Sequence, residues 1–445
     1  MTAEIDPERT ALSLLDALAR IPDPRAARGV RHGVLTVLLI SACAVLAGAR
    51  SFVAIAEYAH DTGRSVLDLL GAGSVAPHES AIRRLLHQLD PTAVEDALHR
   101  WAAAQLATLP ADPGLPARQQ RPVWALDGKS LRGARREERR THLVSVIDQS
   151  SGAVPAHVGV DAKSEEPTAV PGLLTGLDLN GVLITADVLH TQRTHARYLR
   201  ERGGHFLMTV KANQPTLLTR LRALPWTMTG PAAQQRARGH GRVETHTISV
   251  LCLDRYPDRG GEFVPHAAQA IRVIRRRRPL RPGGRWKTTT VYAITSLTTF
   301  QADPVLLARW IRGHRSIENR LHWVRAVSFD EGRSQTRTAA GPQVMAALRN
   351  LAITALRLTG TTNIAVGATT GTGPDHARQR PDREQRHRGR HRRGHRGRRG
   401  PGDRHGSHRF DRGRGPVGAD LLPVPTPPKQ RPVHRPDGRC SARHP

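Results

Sequence analysis

Apolar side chains recur at intervals of three and four residues through the first 105 positions, which is the spacing of amphipathic helices. The clearest stretches are ALSLLDALARI, VLTVLLISACAVLAGA, FVAIAEYAH and AVEDALHRWAAAQLATL. They predict an all-helical N-terminal domain over residues 1–105. The second stretch belongs to an uncharged run, 34–49, that is shorter than the roughly 20 residues of a membrane-spanning helix, so it predicts a buried helix.

Residues 77–90, PHESAIRRLLHQLD, predict a short helix that begins near Glu79 or Ser80 and carries two arginines. A basic helix after a turn can enter the DNA major groove, as in helix-turn-helix proteins. A solvated basic face on a helix that packs through its other side explains the same residues. The sequence leaves both interpretations open.

The pattern changes to short strands at residue 122, after a proline-rich, aperiodic linker over residues 106–121. Two helical stretches separate the third strand from the fourth and the fourth from the fifth. The predicted strands are 123–127, 142–148, 153–160, 181–187 and 205–210. This alternation predicts an α/β catalytic domain over residues 122–360 with mixed strand directions, in the order of a ribonuclease H-like core.

Residues 239–300 interrupt the alternation, because RVETHTISVLCL, HAAQAIRVIRR and TTTVYAITSL are typical of strands with no helix between them. We therefore expect a β-rich insertion into the core. A helix follows, with Asp303 as its N-cap and Pro304 in the first helical position.

The net positive charge of the chain indicates a negatively charged binding partner. The chain has 68 Lys+Arg against 38 Asp+Glu, a formal net charge of +30, which favours a polyanion: nucleic acid first, an anionic membrane surface second. A GC-rich coding sequence also explains part of the arginine excess. Cys43, Cys252 and Cys440 lie too far apart for a zinc motif, and the N-terminus is unlike a signal peptide, so we expect a cytoplasmic protein.

Three acidic residues are candidates for metal chemistry. Asp127 and Asp187 each end a predicted strand, and Glu318 lies on the helix after Asp303. Carboxylates that meet at a sheet edge repel one another unless a cation joins them or one is protonated, and oxygen ligands of this kind suit Mg²⁺. Helical spacing places Glu318 on one face with Ile311, His314, Arg315, His322 and Arg325. That face is either a surface salt-bridge cluster or a metal ligand among groups that hold DNA phosphates.

Several blocks of the sequence resemble the ISAs-type, H-repeat-associated bacterial insertion-sequence transposases of the DDE superfamily. The blocks of the catalytic region are ALDGKSLRGARR, LITADVLHTQRTHARYLRERGGHFLMTVKANQPTL, GHGRVETHTISV, VYAITSL and RGHRSIENRLHWVRAVSFDEGRSQTRTAAGPQVMAALRNLAI. Two N-terminal blocks, SLLDALARIPDPRAARGVRHG and AVLAGARSFVAIAEYA, resemble the helical domain associated with that family.

The resemblance implies DNA cleavage and strand transfer, with Asp127, Asp187 and Glu318 as catalytic residues and metal ligands. It implies a two-metal Mg²⁺ site, for which Mn²⁺ is a substitute. The implied partners are the element's terminal inverted repeats and target DNA, bound by a homodimer at the bacterial nucleoid, with no membrane. The implied DNA contacts are Lys129, Arg132, Lys211, Asn213, Arg315, Asn319, His322 and Arg325.

Two departures from the family keep alternatives open. Ala326 stands where the family usually has an aspartate, which favours a catalytically decayed relative that still binds DNA. A ribonuclease H-like nuclease unconnected with transposition fits the core, but not the helical N-terminal domain.

The second departure is a low-complexity tail over residues 361–445, rich in Arg, His, Gly and Pro. From residue 371 it holds 20 Lys+Arg and 7 Asp+Glu, with too few apolar residues to order itself, so we expect disorder. One interpretation is a GC-rich gene read out of frame, in which case a frameshift near codon 367 restores a short family-like ending. The other is a basic nucleic-acid-binding tail.

Overall fold

A computed structural model describes residues 14–370, apart from 111, 113, 137–138, 161–164, 188–189, 240 and 256–262. The side chains of 131–141, 255 and 369–370 also lie outside the described part. The predicted tail from residue 371 and the predicted DNA contact of the Arg132 side chain therefore fall outside the description. Residues 364–370, which we assigned to the tail, form a helix.

Helices fill the described N-terminal region, as predicted. They are α1 (Val34–Leu46), α2 (Phe52–Asp61), α3 (Arg64–Leu69), α4 (Glu79–Gln88) and α5 (Pro91–Ala107). Local chemistry sets their starts: the Ser51 hydroxyl accepts a hydrogen bond from the Ala54 N–H, and Asp90 caps the helix that Pro91 opens. Buried α1 confirms the interpretation of the uncharged run, and no helix among the described residues is long and apolar enough to cross a membrane.

The α/β region follows the predicted order of elements. Its strands are β1 (Val123–Arg136), β2 (Arg139–Asp148), β3 (Ala156–Val160), β4 (Leu183–Ala186), β5 (His205–Val210), β6 (Ala233–Gly239), β7 (Arg242–Cys252), β8 (Gln269–Pro279) and β9 (Lys287–Thr295). Its helices are α6 (Glu166–Leu174), α7 (Arg193–Glu201), α8 (Pro215–Arg222), α9 (Pro304–Gly313), α10 (Gly341–Leu358) and α11 (Ile364–Thr370).

The described strands form one sheet in the order β3-β2-β1-β4-β5-β9-β8-β7-β6. Strands β1, β4 and β5 run parallel to one another, and the remaining pairs are antiparallel. The predicted β-rich insertion is thus four strands, β6 to β9, that continue the sheet beyond β5. It begins at Ala233, six residues before the predicted start.

Helices cover both faces of the sheet. One face packs against α6, α7 and α8 through residues such as Leu126, Ile184 and Phe206. The other face packs against α9 through Leu183 and Leu207, and against the N-terminal helices and α10 through Ala125. We call this second face the α9 face. Because α10 shares its core with the N-terminal helices, the two regions are packed together rather than merely tethered.

Two features differ from the sequence prediction. Strand β1 continues to Arg136, so Asp127 lies inside the strand, at the point where its neighbour β4 ends. The helix predicted to run past Glu318 stops as α9 at Gly313 and is followed by two π-helical turns, Glu318–His322 and Val324–Ser328. The predicted N-cap is confirmed, since Asp303 accepts a hydrogen bond from the Leu306 N–H.

Candidate active site

The register of the parallel strands places Asp127 beside Asp187. Leu126 of β1 pairs with Ala186 of β4, so the next residue on each chain is an aspartate at the same level of the sheet. Side chains at matching positions of neighbouring strands leave the sheet on the same side. Both carboxylates therefore lie on the α9 face, at the level of the sheet where β4 ends.

The first π-helical turn brings Glu318 to the same place. Oxygen atoms of Asp127 and Glu318 and a ring nitrogen of His322 all lie within 4.8 Å of one another. Glu318 is exposed, Asp127 is partly buried and His322 is buried. π-helical turns are rare and are frequently found at functional sites. This one stacks Glu318 above His322 and directs both side chains at β1.

His322 is a direct polar neighbour of the Asp127 carboxylate. Its Nε2 lies 3.3 Å from Asp127 Oδ2, and the His322 side chain is only 2% exposed. Burial acts to raise the pKa of Asp127, but the hydrogen bond and charge of His322 outweigh it, helped by His314 and the Gly128 N–H. The pKa of Asp127 therefore lies below its usual value, and the carboxylate is ionised at neutral pH.

Lys211 forms an ion pair with the second aspartate, Asp187. Its ammonium donates to both carboxylate oxygens of Asp187 at 2.9 Å. Lys211 directly follows β5, the strand next to β4, so the same parallel register delivers it. The pair is exposed, with 54% of the Lys211 side chain and 40% of the Asp187 side chain open to solvent. A cation can thus exchange at Asp187 without any rearrangement of the core.

A buried polar network supports the floor of the site. The Thr185 hydroxyl accepts a hydrogen bond from Gln149 Nε2 at 2.8 Å and lies 3.1 Å from His314 Nδ1. Gln149 Nε2 also donates to the Trp310 carbonyl at the end of α9. Burial lowers the pKa of His314, although the charges of Asp127 and Asp187 act to raise it, so the ring is neutral near pH 7.

Arg320 fastens the Glu318-bearing turn to the sheet. Its guanidinium donates to the carbonyls of Gln149, Ser150 and Ser151, at 2.8, 3.0 and 2.8 Å, in the turn after β2. A Cβ at Gly152, whose φ is +83°, would lie 2.9 Å from the Arg320 side chain, so this turn needs glycine for both conformation and space. These contacts fix where Glu318 points.

The predicted DNA contacts divide into two groups. Asn213, Arg315 and Asn319 are exposed around the carboxylates, and Lys129 leaves β1 on the same face as Asp127 because it lies two residues further along the strand. Lys211 is engaged with Asp187, as described above. These positions are compatible with the predicted contacts.

Two of the predicted contacts are corrected by burial. His322 lies against Asp127 rather than on the surface. Arg325 is 2% exposed, and its Nη2 lies 2.6 Å from Glu331 Oε1, so it offers no surface to a DNA backbone. Both residues lie on the buried side of the two π-helical turns, where the α-helical projection that aligned them with the exposed Glu318 does not apply.

Sequence reasoning missed two histidines next to the carboxylates. His314 was aligned with Glu318 but was given no role, and His190 was not singled out. Burial, with a smaller effect of the His195 charge, lowers the pKa of His190 to about 4, although Asp127 and Asp187 act to raise it. His190 follows β4 by four residues, and only the three-dimensional turn brings it to the site.

The donor set fits a divalent cation. Carboxylates suit Mg²⁺, and the imidazole of His322 suits a transition ion such as Mn²⁺ at least as well. The Lys211 ammonium pairs with the Asp187 carboxylate, so this carboxylate can already accept a cationic partner. Exposed cations and amides around the carboxylates suit a phosphate backbone.

Comparison with known proteins identifies the region. The chain matches the family described as "Transposase DDE domain" over residues 118–355 and the family described as "DDE_Tnp_1-associated" over residues 15–102. The first match covers more than half of the chain and includes all three candidate carboxylates.

Relatives carry related names. "Putative transposase YncI" of Escherichia coli O157:H7 is 26% identical over 355 residues, 78% of this chain and 87% of that protein. "H repeat-associated putative transposase YhhI" of Escherichia coli K12 is 27% identical and covers 77% of this chain and 90% of that protein. A solved piggyBac transposase synaptic complex with hairpin DNA aligns with a TM-score of 0.38 and 9% identity over 83% of this chain and 80% of that one, too distant to bear on the fold.

Proposed function

Because the chain belongs to the family of transposases with a DDE domain and is related to the H repeat-associated transposases, we propose that it acts on DNA as a transposase. From this premise we propose that it cleaves DNA at the ends of an insertion sequence and joins those ends to a target. We propose Asp127, Asp187 and Glu318 as the catalytic carboxylates.

The observation that carries the proposal is the meeting of Asp127, Glu318 and His322 within 4.8 Å, with Asp187 on the neighbouring strand. The match to the DDE-domain family and the donor set of these residues support a divalent metal ion at this centre. We propose that Asp127 and Glu318 hold one ion with His322 and that Asp187 contributes to the same centre. When bound, the metal supplies Lewis-acid stabilisation of the charge that develops on the scissile phosphate.

The protein's own groups hold the substrate and the ligands in place. The Asp127 carboxylate is kept ionised by His322, so it is ready to bind a cation at neutral pH. Arg320 keeps Glu318 directed at Asp127 through three backbone carbonyls. Arg315, Asn319 and Asn213 lie exposed around this centre, where guanidinium and amide groups can hold phosphate oxygens on both sides of the reacting bond.

The connectivity of the sheet supports a ribonuclease H-like core for this centre. Three antiparallel strands lead into two parallel ones in the order β3-β2-β1-β4-β5, with a helix between β3 and β4 and another between β4 and β5. The first aspartate then lies on the central strand and the second follows its parallel neighbour. A homodimer on DNA and location at the nucleoid stay predictions.

A strand-transfer assay tests the proposal. The full chain is incubated with Mg²⁺ or Mn²⁺, a labelled duplex from the boundary of its own element and a supercoiled target plasmid. We expect joined products with the wild-type chain and none with Asp187→Asn. A wild-type chain that binds the end duplex but yields no product with either metal, under conditions in which it is folded, would support the decayed DNA-binding alternative instead.

A further inference from the structure

Four consecutive arginines, 275–278, lie on β8, in a part of the chain that carries no compensating acid. Between residues 269 and 295 the sequence has eight Lys+Arg and no Asp or Glu. Because side chains alternate along a strand, Arg275 and Arg277 leave the sheet on one face, and Arg276 and Arg278 leave it on the other. The run is therefore two pairs of cations with different surroundings.

Strand register places the first pair on the face of the catalytic carboxylates. Residues that pair across neighbouring strands point to the same side of the sheet. Thr209 of β5 pairs with Ala293 of β9, and Thr289, four residues earlier on β9 and therefore on the same side, pairs with Arg275 of β8. Thr209 of β5 in turn shares its side with Asp187. Arg275 and Arg277 thus lie on the α9 face, at the same edge of the sheet as the aspartates.

Positive charges outnumber negative ones around Arg275, because Arg315 and Arg277 act on it against Glu244, which pairs with Arg277 across β7 and β8. Arg275 Nε is buried and makes no hydrogen bond to the described residues. Burial lowers the pKa of the Arg275 guanidinium, and the charges of Arg315 and Arg277 lower it further, against a raising effect of Glu244. Glu244 itself is engaged by Arg242 at 2.7 Å and His246 at 3.5 Å. Repulsion among these cations is relieved best by an external anion.

The second pair has a partner within the protein. The guanidinium carbons of Arg276 and Arg278 lie 5.1 and 5.3 Å from the centre of the Trp286 ring, within cation–π range. These two arginines are also exposed, so they carry the same charge as the first pair but lie on the opposite face. They form a natural matched control.

We propose that Arg275 and Arg277 of β8, continued by Arg315 beside Glu318, form a phosphate-binding track for the DNA that leads away from the catalytic carboxylates. That the track leads away from a catalytic centre rests on the proposed function, whereas its positive charge does not. Four strand spacings separate β8 from β1, roughly 19 Å. That distance corresponds to about six base pairs of DNA from the reacting phosphate.

Equilibrium DNA binding tests the track without any need for catalysis. The full chain is titrated onto a fluorescein-labelled random-sequence duplex in EDTA over a series of KCl concentrations. For the double variant Arg275→Gln/Arg277→Gln we expect roughly tenfold or weaker binding and a salt slope reduced by about 2. For Arg276→Gln/Arg278→Gln, which removes the same charge from the opposite face, we expect a slope change below about 1.

Equal losses in the two double variants, or a larger loss in the second, would overturn the track. Because Arg275 is partly buried, urea unfolding of each variant accompanies the titrations. The single charge reversals Arg277→Glu and Arg278→Glu repeat the comparison at less buried positions, and only the first is expected to weaken binding strongly. Because EDTA removes divalent metal, the binding titration does not depend on catalysis. If binding is lost selectively in Arg275→Gln/Arg277→Gln while the wild-type chain never cleaves DNA with metal, the track is supported and the catalytic proposal is contradicted.

Discussion

His322 Nε2 lies 3.3 Å from Asp127 Oδ2, and the imidazole is buried against β1. We propose that the ring acts on the carboxylate and not on a DNA backbone. We predict that His322→Ala weakens Mn²⁺ binding by about 10- to 100-fold, whether the ring is a direct ligand or orients Asp127. Metal-free DNA binding should change little, because no exposed cation is lost.

Isothermal titration with Mn²⁺ and a DNA titration in EDTA check both halves of this prediction. His60→Ala, at an exposed position of α2, is the control for loss of a histidine. Loss of DNA affinity with unchanged metal affinity in His322→Ala would restore the DNA-contact role that the sequence predicts.

Lys211 neutralises Asp187 in the absence of metal, so it competes with any cation that binds there. We predict that Lys211→Met tightens Mn²⁺ binding in the absence of DNA. The substitution removes a positive charge that repels the ion and frees the Asp187 carboxylate to bind it. The free energy of unfolding should change by less than about 1 kcal/mol, as is usual for an exposed ion pair.

Titration with Mn²⁺ followed by electron paramagnetic resonance measures this effect. Arg309→Met, which breaks the exposed ion pair with Asp112 at 3.1 Å, should leave metal affinity unchanged. Weaker metal binding in Lys211→Met would mean that Lys211 positions Asp187 for the metal and does not compete with it.

Glu331 holds two buried arginines together. Arg325 Nη2 lies 2.6 Å and Arg349 Nη1 lies 3.0 Å from Glu331 Oε1, and both arginines are about 2% exposed. Removal of the shared carboxylate leaves two uncompensated charges in the core, so we predict that Glu331→Ala costs about 3–5 kcal/mol of unfolding free energy.

Urea denaturation monitored by tryptophan fluorescence gives that number. Glu79→Ala breaks an exposed pair with Arg83 and should cost less than about 1 kcal/mol. A cost for Glu331→Ala no larger than that of Glu79→Ala would show that the network contributes little.

Glu95 makes stability depend on pH. Burial, together with the charges of Asp96 and Asp90, raises the pKa of Glu95 from 4.5 to about 8. A raised pKa means that the folded state prefers the protonated acid. Glu95 therefore costs no unfolding free energy below pH 4.5, and the free energy of unfolding falls as pH rises from 4.5 through about 8.

We therefore predict that Glu95→Gln has little effect at pH 4.5 and is more stable than the wild type above pH 8, by a few kcal/mol at most. Urea midpoints of both chains across this range check the prediction. A difference that does not grow with pH would assign Glu95 an ordinary pKa.

The positions of Asp127 and Asp187 were predictable because they depend on local pattern. Each follows an apolar strand, and parallel strands bring their carboxyl ends to one edge of a sheet. The continuation of β1 to Arg136 was not predictable in the same way. Beyond Asp127 the strand has lost its neighbour β4, so its residues need not be apolar, and the sequence GKSLRGARR gives no strand signal.

The roles of His322 and Arg325 were beyond sequence reasoning for a different reason. A helical projection assumes α-helical winding, and under that assumption His322 and Arg325 lie on the exposed face beside Glu318. The structure has π-helical turns there, and a π-helix closes its hydrogen bonds one residue later than an α-helix. Nothing in the residue types of IENRLHWVRAVS indicates that change of winding.

We infer that Asp127, Asp187 and Glu318 act together in metal-dependent cleavage of DNA. The most direct measurement is the single-turnover rate of strand cleavage on an end duplex with Mg²⁺ or Mn²⁺, for the wild type, Asp127→Asn, Asp187→Asn and Glu318→Gln. Asp112→Asn, which alters an exposed acid that pairs with Arg309, serves as the acidic control. We predict metal-dependent cleavage in the wild type and the control and a loss of at least about 10³-fold in each of the three amide variants, with DNA binding in EDTA retained. Cleavage at the wild-type rate in any one of the three would contradict the claim.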